Sequence, residues 1–169
     1  MNYWMIFLRL AHIIAGIYWV GAGLAMTFFI SPAVSATAET GQKFMGYLLT
    51  QTRFTASMIA AGTITVIAGT VLYWIDSDGF TSEWIMAGPG IGFGIGAVFA
   101  VIGLAYGIII PRTGAAMGKL AAQFKGPPTS EQQAQMAALG RRMTTVSIVN
   151  MVCLIAAALL MAVARYLRF

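Results

Sequence analysis

The chain has 169 residues, of which 59% are hydrophobic and 9% charged, with a net charge of +5. A soluble domain carries about 25% charged residues, so a water-soluble globule is excluded. The basic residues flank long apolar runs, where they set topology and meet anionic head groups, and nucleic acid is not an expected partner.

Four segments, about 5–30, 54–75, 84–110 and 143–164, each supply the roughly 20 apolar residues that a spanning helix needs. The last three hold no Asp, Glu, Lys, Arg or His. Backbone polar groups in hydrocarbon must be satisfied internally, which leaves helices or a closed barrel. The runs are too long and too evenly apolar for barrel strands of about ten alternating residues. The expected fold is an all-α membrane protein, a single four-transmembrane-helix bundle over 1–169.

Tyr3 and Trp4 precede the first span as interface anchors, and Arg9 is close enough to snorkel to the same surface. Ser31-Pro32 is expected to end the span. Ala36-Thr37-Ala38 has the form of a signal cleavage site, but the preceding apolar run far exceeds the about 7–15 residues of a signal h-region, so the segment is expected to be a true span. A short surface helix is expected around Phe44, Tyr47 and Leu48, either separate from span 2 or merging into it, and Arg53 marks where span 2 begins.

Span 2 places Ala61, Thr65 and Gly69 four apart, with Gly62 adding to a small-residue side that lets backbones approach. A short acidic loop follows, with Asp76, Asp78 and Glu83. Span 3 is rich in glycine. Gly92-x-Gly94-x-x-Ala97 has the spacing of a dinucleotide fingerprint, but that motif requires a preceding strand. Tight helix packing is the expected role of these glycines. Pro111 is expected to end or kink span 3.

The third loop is expected to hold a helical hairpin over about 113–142, turning at Gly126-Pro127-Pro128. Its second arm starts at Thr129 or Ser130, with Gln133 as a capping-box partner three residues after Ser130, and runs into span 4. Span 4 carries Asn150 and Cys153 and closes with Arg165, Tyr166 and Arg168. The single cysteine excludes a disulfide or a cysteine zinc site within one chain.

The first and third loops hold seven basic residues: Lys43, Arg53, Arg112, Lys119, Lys125, Arg141 and Arg142. The other side holds three, Arg9, Arg165 and Arg168. The positive-inside rule places both termini on the outer (periplasmic) side and the hairpin in the cytoplasm.

The stretch LRLAHIIAGIYWVGAG in span 1, Pro32 just past it, Arg53 before a glycine-containing second span, and LLMAVARYL at 159–167 resemble the small four-span CopD-like integral membrane proteins. That group includes copper-resistance membrane proteins and the membrane part of a urate oxidase, and the HemJ-type protoporphyrinogen oxidases are similar. The resemblance implies a multi-pass protein of the bacterial inner (cytoplasmic) membrane, with His12 in the position of a haem- or copper-related histidine.

His12 is the only histidine, and an ionisable residue inside a span is a functional candidate by default. Met5, Arg9, His12, Gly16, Trp19 and Gly23 share one helix face by steps of three and four. The two glycines are expected to leave a shallow groove beside His12, with Trp19 as a wall. Neutral imidazole is a ligand for iron, copper or the magnesium of a chlorin. The alternative role for His12 is a hydrogen bond to a neighbouring helix or to interfacial water.

Arg9 and Arg165 are expected near one surface, either pairing a haem propionate or anchoring the helices there. Met5 and Met26 are the methionines placed to act as second ligands to a metal at His12. No nucleophilic triad or paired catalytic carboxylates occur, because the five acids all lie in loops.

Three functions follow as expectations. The first is a non-catalytic accessory or haem-carrying subunit of a respiratory or photosynthetic membrane electron-transfer complex, with haem b as cofactor or none. The second is copper handling or transport. The third is a HemJ-like oxidase. One histidine supplies one ligand, so a neighbouring membrane subunit or a second copy is expected beside the chain.

Overall fold

A computed structural model describes residues 3–169, and all regular elements among them are helical. α1 (Tyr3–Ala25) passes through a π turn (Met26–Ile30) into α2 (Ser31–Ala36). α3 (Ala38–Gln51) follows, then α4 (Phe54–Asp76), α5 (Gly88–Ala121) and α6 (Ser130–Val163). Four continuous helical stretches are long and apolar enough to cross a membrane: Tyr3–Ala36, Phe54–Asp76, Gly88–Ala121 and Ser130–Tyr166. The protein is a multi-pass, all-α membrane bundle.

Three boundaries differ from the sequence expectation. Ser31-Pro32 does not end the first helix. Proline has no N–H to give, and the π turn ahead of it shifts the ladder so that the Ser31 N–H reaches the Met26 carbonyl, five residues back. The helix ends instead at Thr37, where Ala38 takes a φ of 45°. Gly41 then fits against the Val34 backbone, where an added Cβ would stand 2.5 Å from the carbonyl oxygen.

Pro111 likewise lies inside α5 rather than at its end. Its missing N–H frees the Gly107 carbonyl, and the neighbouring turns are reinforced by side chains. The Asn150 amide donates to the Gly103 carbonyl at 2.6 Å, and the Thr113 hydroxyl donates to the Ile109 carbonyl at 3.0 Å. The capping box of α6 is also shifted by one residue. Thr129 accepts from the Gln132 N–H, while the Gln132 side chain accepts from the Thr129 N–H at 2.9 Å. Gln133 instead donates to the Pro128 carbonyl.

Of the two expectations for the surface helix, the separate one is observed. Extended backbone at Thr52 breaks α3 from α4, and the Thr52 hydroxyl accepts from the Phe54 N–H.

The bundle is two antiparallel pairs, α1 with α4 and α5 with α6, joined along α4 and α5. Small residues cut each seam. On α5, Gly92 meets Ala164 and Leu167, Gly96 meets Met161, Gly103 meets Leu154 and Gly107 meets Asn150. Gly94 faces Tyr73 of α4. The glycines of span 3 are thus helix-packing surfaces. On the other pair, Gly16 meets Thr65, Gly62 meets Trp19 and Gly69 meets His12. The core is centred on Trp19, Ala61, Met151 and Leu154.

Tyr3, the 77–87 loop and the 167–169 segment lie at one end of the bundle. There Tyr73, Phe80, Trp84 and Phe93 form an aromatic cluster, and Gly88 donates to the Phe169 carbonyl. The α2–α3 corner and the 122–129 turn lie at the other end.

Gly90 is wedged against the Trp84–Ile85 backbone, where an added Cβ would overlap the Trp84 carbonyl oxygen. Backbone atoms cannot swing aside as a side chain can. Gly90→Ala is therefore expected to destabilise the protein by about 1–3 kcal/mol. Gly118→Ala, with nothing within 4 Å, is expected to leave stability unchanged or slightly raised. Thermal unfolding of both variants in detergent checks the pair.

Candidate functional site

His12 lies on the face of α1 that packs on α4. Its Nδ1 is 2.8 Å from the Thr65 carbonyl oxygen. A carbonyl has no hydrogen to give, so Nδ1 carries the proton and donates. In the neutral ring this leaves the lone pair on Nε2. The same division of labour orients histidines that ligate metals, where one nitrogen is held by a carbonyl and the other binds.

Gly69 makes the approach possible. A Cβ there would stand 2.8 Å from His12 Cε1 and 2.9 Å from Nδ1. The ring is half-buried, and no protein partner for Nε2 occurs among the described residues.

The depth of the ring follows from α4. Thr65 is eight residues from Tyr73 in the aromatic cluster, or about 12 Å along the helix. The ring lies between the Thr65 carbonyl and Gly69, which is four residues or about 6 Å from Tyr73.

The other proposed site residues have different surroundings. The expected groove at Gly16 and Gly23 is filled by neighbouring side chains, with Thr65 on Gly16 and the Met151 sulfur on Gly23. Trp19 is only 4% exposed and lies in the core against Gly62. Gly16, Gly23 and Trp19 thus seat α1 on its neighbours.

Arg9 lies one turn from His12 toward the Tyr3 end, with an exposed side chain. The guanidinium of Arg165 is 5.8 Å from the centre of the Tyr166 ring. Met26 falls in the π turn, 14 residues and about 21 Å along the helix from His12, too far to share a metal with it. Met5 stands seven residues away on the other side, about 10 Å along the axis.

Among the described residues, no three of His, Cys, Asp and Glu come together. The chain therefore presents one imidazole on the α1–α4 seam, with Arg9 one turn nearer the Tyr3 end. Sequence reasoning did not identify the Thr65 carbonyl as the partner of His12, or Gly69 as the gap that admits the ring. Gly69 was visible as one of a row of small residues. Its pairing with His12 depends on helix register, which a single sequence does not give.

Because His12 is the only histidine, labelling histidine with 15N reports on this ring alone. In its neutral form the wild-type ring is expected to show a protonated Nδ1 and a bare Nε2. Gly69→Ala is expected to break the Thr65 bond, merge the two nitrogen signals toward rapid tautomer exchange, and cost about 1 kcal/mol of stability. Unchanged nitrogen shifts in that variant would contradict the assigned geometry.

No known protein family, curated protein or solved structure matches the chain.

Proposed function

We propose that the chain is a non-catalytic, haem-carrying or accessory subunit of an electron-transfer complex in a bacterial inner membrane, with both ends on the outer side. His12 is the residue that carries this reading. Its Nδ1 is held by a backbone carbonyl, and the half-buried ring leaves Nε2 without a protein partner among the described residues.

The donor set fits one iron ligand of a haem b. His12 would hold the iron through Nε2, Arg9 would pair a propionate nearer the surface, and Gly69 keeps the ring in place. When bound, a haem supplies reversible one-electron exchange. The chain's own part is to fix the tautomer, to hold the ligand nitrogen at depth, and to keep water from that side of the ring.

A second ligand would come from a neighbouring subunit or a second copy of the chain. Met26 is too distant, and Gly16 and Trp19 are committed to packing.

The test is a reduced-minus-oxidised absorbance spectrum of the protein purified in mild detergent, alone and with whatever subunits remain attached. Soret and α bands are expected, and His12→Ala should abolish or shift them. The same spectrum in His12→Ala removes His12 as the ligand. Stoichiometric copper without these bands transfers the assignment to copper.

A further inference from the structure

The charged residues at the two ends of the bundle are differently balanced. At the end with Tyr3, three arginines (Arg9, Arg165 and Arg168) share the surface with Asp76, Asp78 and Glu83. At the other end, seven basic residues face two acids, Glu39 and Glu131. Glu39 is taken by Lys43 at 2.7 Å, and Glu131 accepts from the Gln135 side chain. Arg53, Arg112, Arg141 and Arg142 are exposed, and none has a carboxylate partner among the described residues.

The helix seams bring these four arginines to one depth. Trp19 lies opposite Gly62, and nine residues further along both helices Phe28 comes level with Arg53. Leu104 also lies opposite Gly62, and eight residues further along, Arg112 comes level with Phe54. Gly114 lies opposite Met143, so Arg112 falls two residues to one side of that pair, and Arg142 and Arg141 fall one and two residues to the other. Arg112, Arg141 and Arg142 thus span about 6 Å in depth, within the reach of their own side chains.

Phe28 and Phe29 are exposed at the same level, as interfacial aromatics are. From Arg53 to Trp74 is 21 residues, or about 31 Å, which matches the hydrocarbon thickness. The belt therefore falls at the edge of a hydrocarbon layer of that thickness.

We infer that these four arginines form a binding surface for anionic phospholipid, engaging the head-group phosphates of the leaflet around α4, α5 and α6. Guanidinium groups suit this role because their paired N–H donors match two phosphate oxygens at once. Four uncompensated charges at one depth also discriminate against zwitterionic lipid, whose own ammonium would face them. The remainder of the hairpin, with Lys119 and Lys125, stands beyond the belt on the water side.

The experiment uses the full chain in neutral detergent, titrated with phosphatidylglycerol or with phosphatidylcholine, and reads lipid retention by native mass spectrometry. Phosphatidylglycerol should be retained in preference. That preference should fall roughly fivefold for each arginine removed in Arg53→Gln, Arg112→Gln and the double variant Arg141→Gln with Arg142→Gln. Arg168→Gln at the opposite end should leave it unchanged. Replacing all four with lysine should keep most of it, because the charge stays.

If the double variant does not fold, the single Arg141→Gln and Arg142→Gln variants give the same readout. A preference that survives every glutamine variant, or that is absent from the wild type, overturns the assignment. Inorganic phosphate displacing phosphatidylglycerol at equal concentration would make the surface a soluble-anion site and overturn the lipid assignment.

Discussion

Hydrocarbon gives little reward for burying one apolar helix against another, so this bundle depends on how closely its backbones approach. Each seam sets glycines against a larger partner. Gly62 lies under Trp19, Gly103 under Leu154, and Gly92 under Leu167 and Ala164. The residues facing these glycines include the most enclosed in the core, with Leu154 and Met151 each about 1% exposed. Elsewhere large apolar side chains are bare, as a lipid solvent allows. Phe7, Leu10, Ile13, Ile14 and Ile17 of α1 are all exposed.

The same packing device produces the one polar feature of functional interest. Gly69 admits the imidazole of His12 as Gly62 admits the indole of Trp19. An aromatic hydrocarbon in that gap would need nothing more. An imidazole has two nitrogens to satisfy, and the Thr65 carbonyl satisfies one. A bare acceptor in a water-poor environment costs on the order of 1–3 kcal/mol. A fully buried Nε2 would be a liability with no return, whereas a half-open one remains available to a ligand arriving from outside the chain. The closeness of α1 to α4 thus fixes both the tautomer and the direction from which His12 can be reached.

Much of this fold was legible in the sequence because membrane spans are written in composition. The length of each apolar run follows from bilayer thickness, and the glycines of span 3 point to close packing whatever their partners are. What was not legible depended on neighbours. Pro32 read as a helix end, and Pro111 as an end or a kink, because the rule is local. The π turn before Pro32 shifts the hydrogen-bond ladder, and the Asn150 and Thr113 bonds reinforce the turns on either side of the freed Gly107 carbonyl. The cap of α6 slipped from Ser130 to Thr129 because both residues are good caps, each with a glutamine three positions on. At the site, the shared face of His12, Gly16, Trp19 and Gly23 was correctly read as a face. Its meaning reversed once α4 and α6 were placed on it, because space beside a glycine is a groove only until a neighbouring helix fills it.

The two helix pairs contribute unequally. α5 and α6 are seamed from Gly88 at one end to Gly114 and Met143 near the other, and they stay helical beyond the arginine belt. α1 is held chiefly by α4, and its contact with α6 at Gly23 and Met151 lies 11 residues from His12, in the half of the bundle where the Trp19 core sits. The α5–α6 pair is therefore the platform that sets depth and register. The His12 half of α1 is the part least enclosed by the chain itself. A flat ligand seeking Nε2 would meet few protein side chains on that flank and would enter laterally, through lipid or from a neighbouring subunit, not down from the loops. On this geometry, completing the site is a matter of what packs beside α1. Under the proposed function, the single histidine would be half of a ligand pair divided between chains.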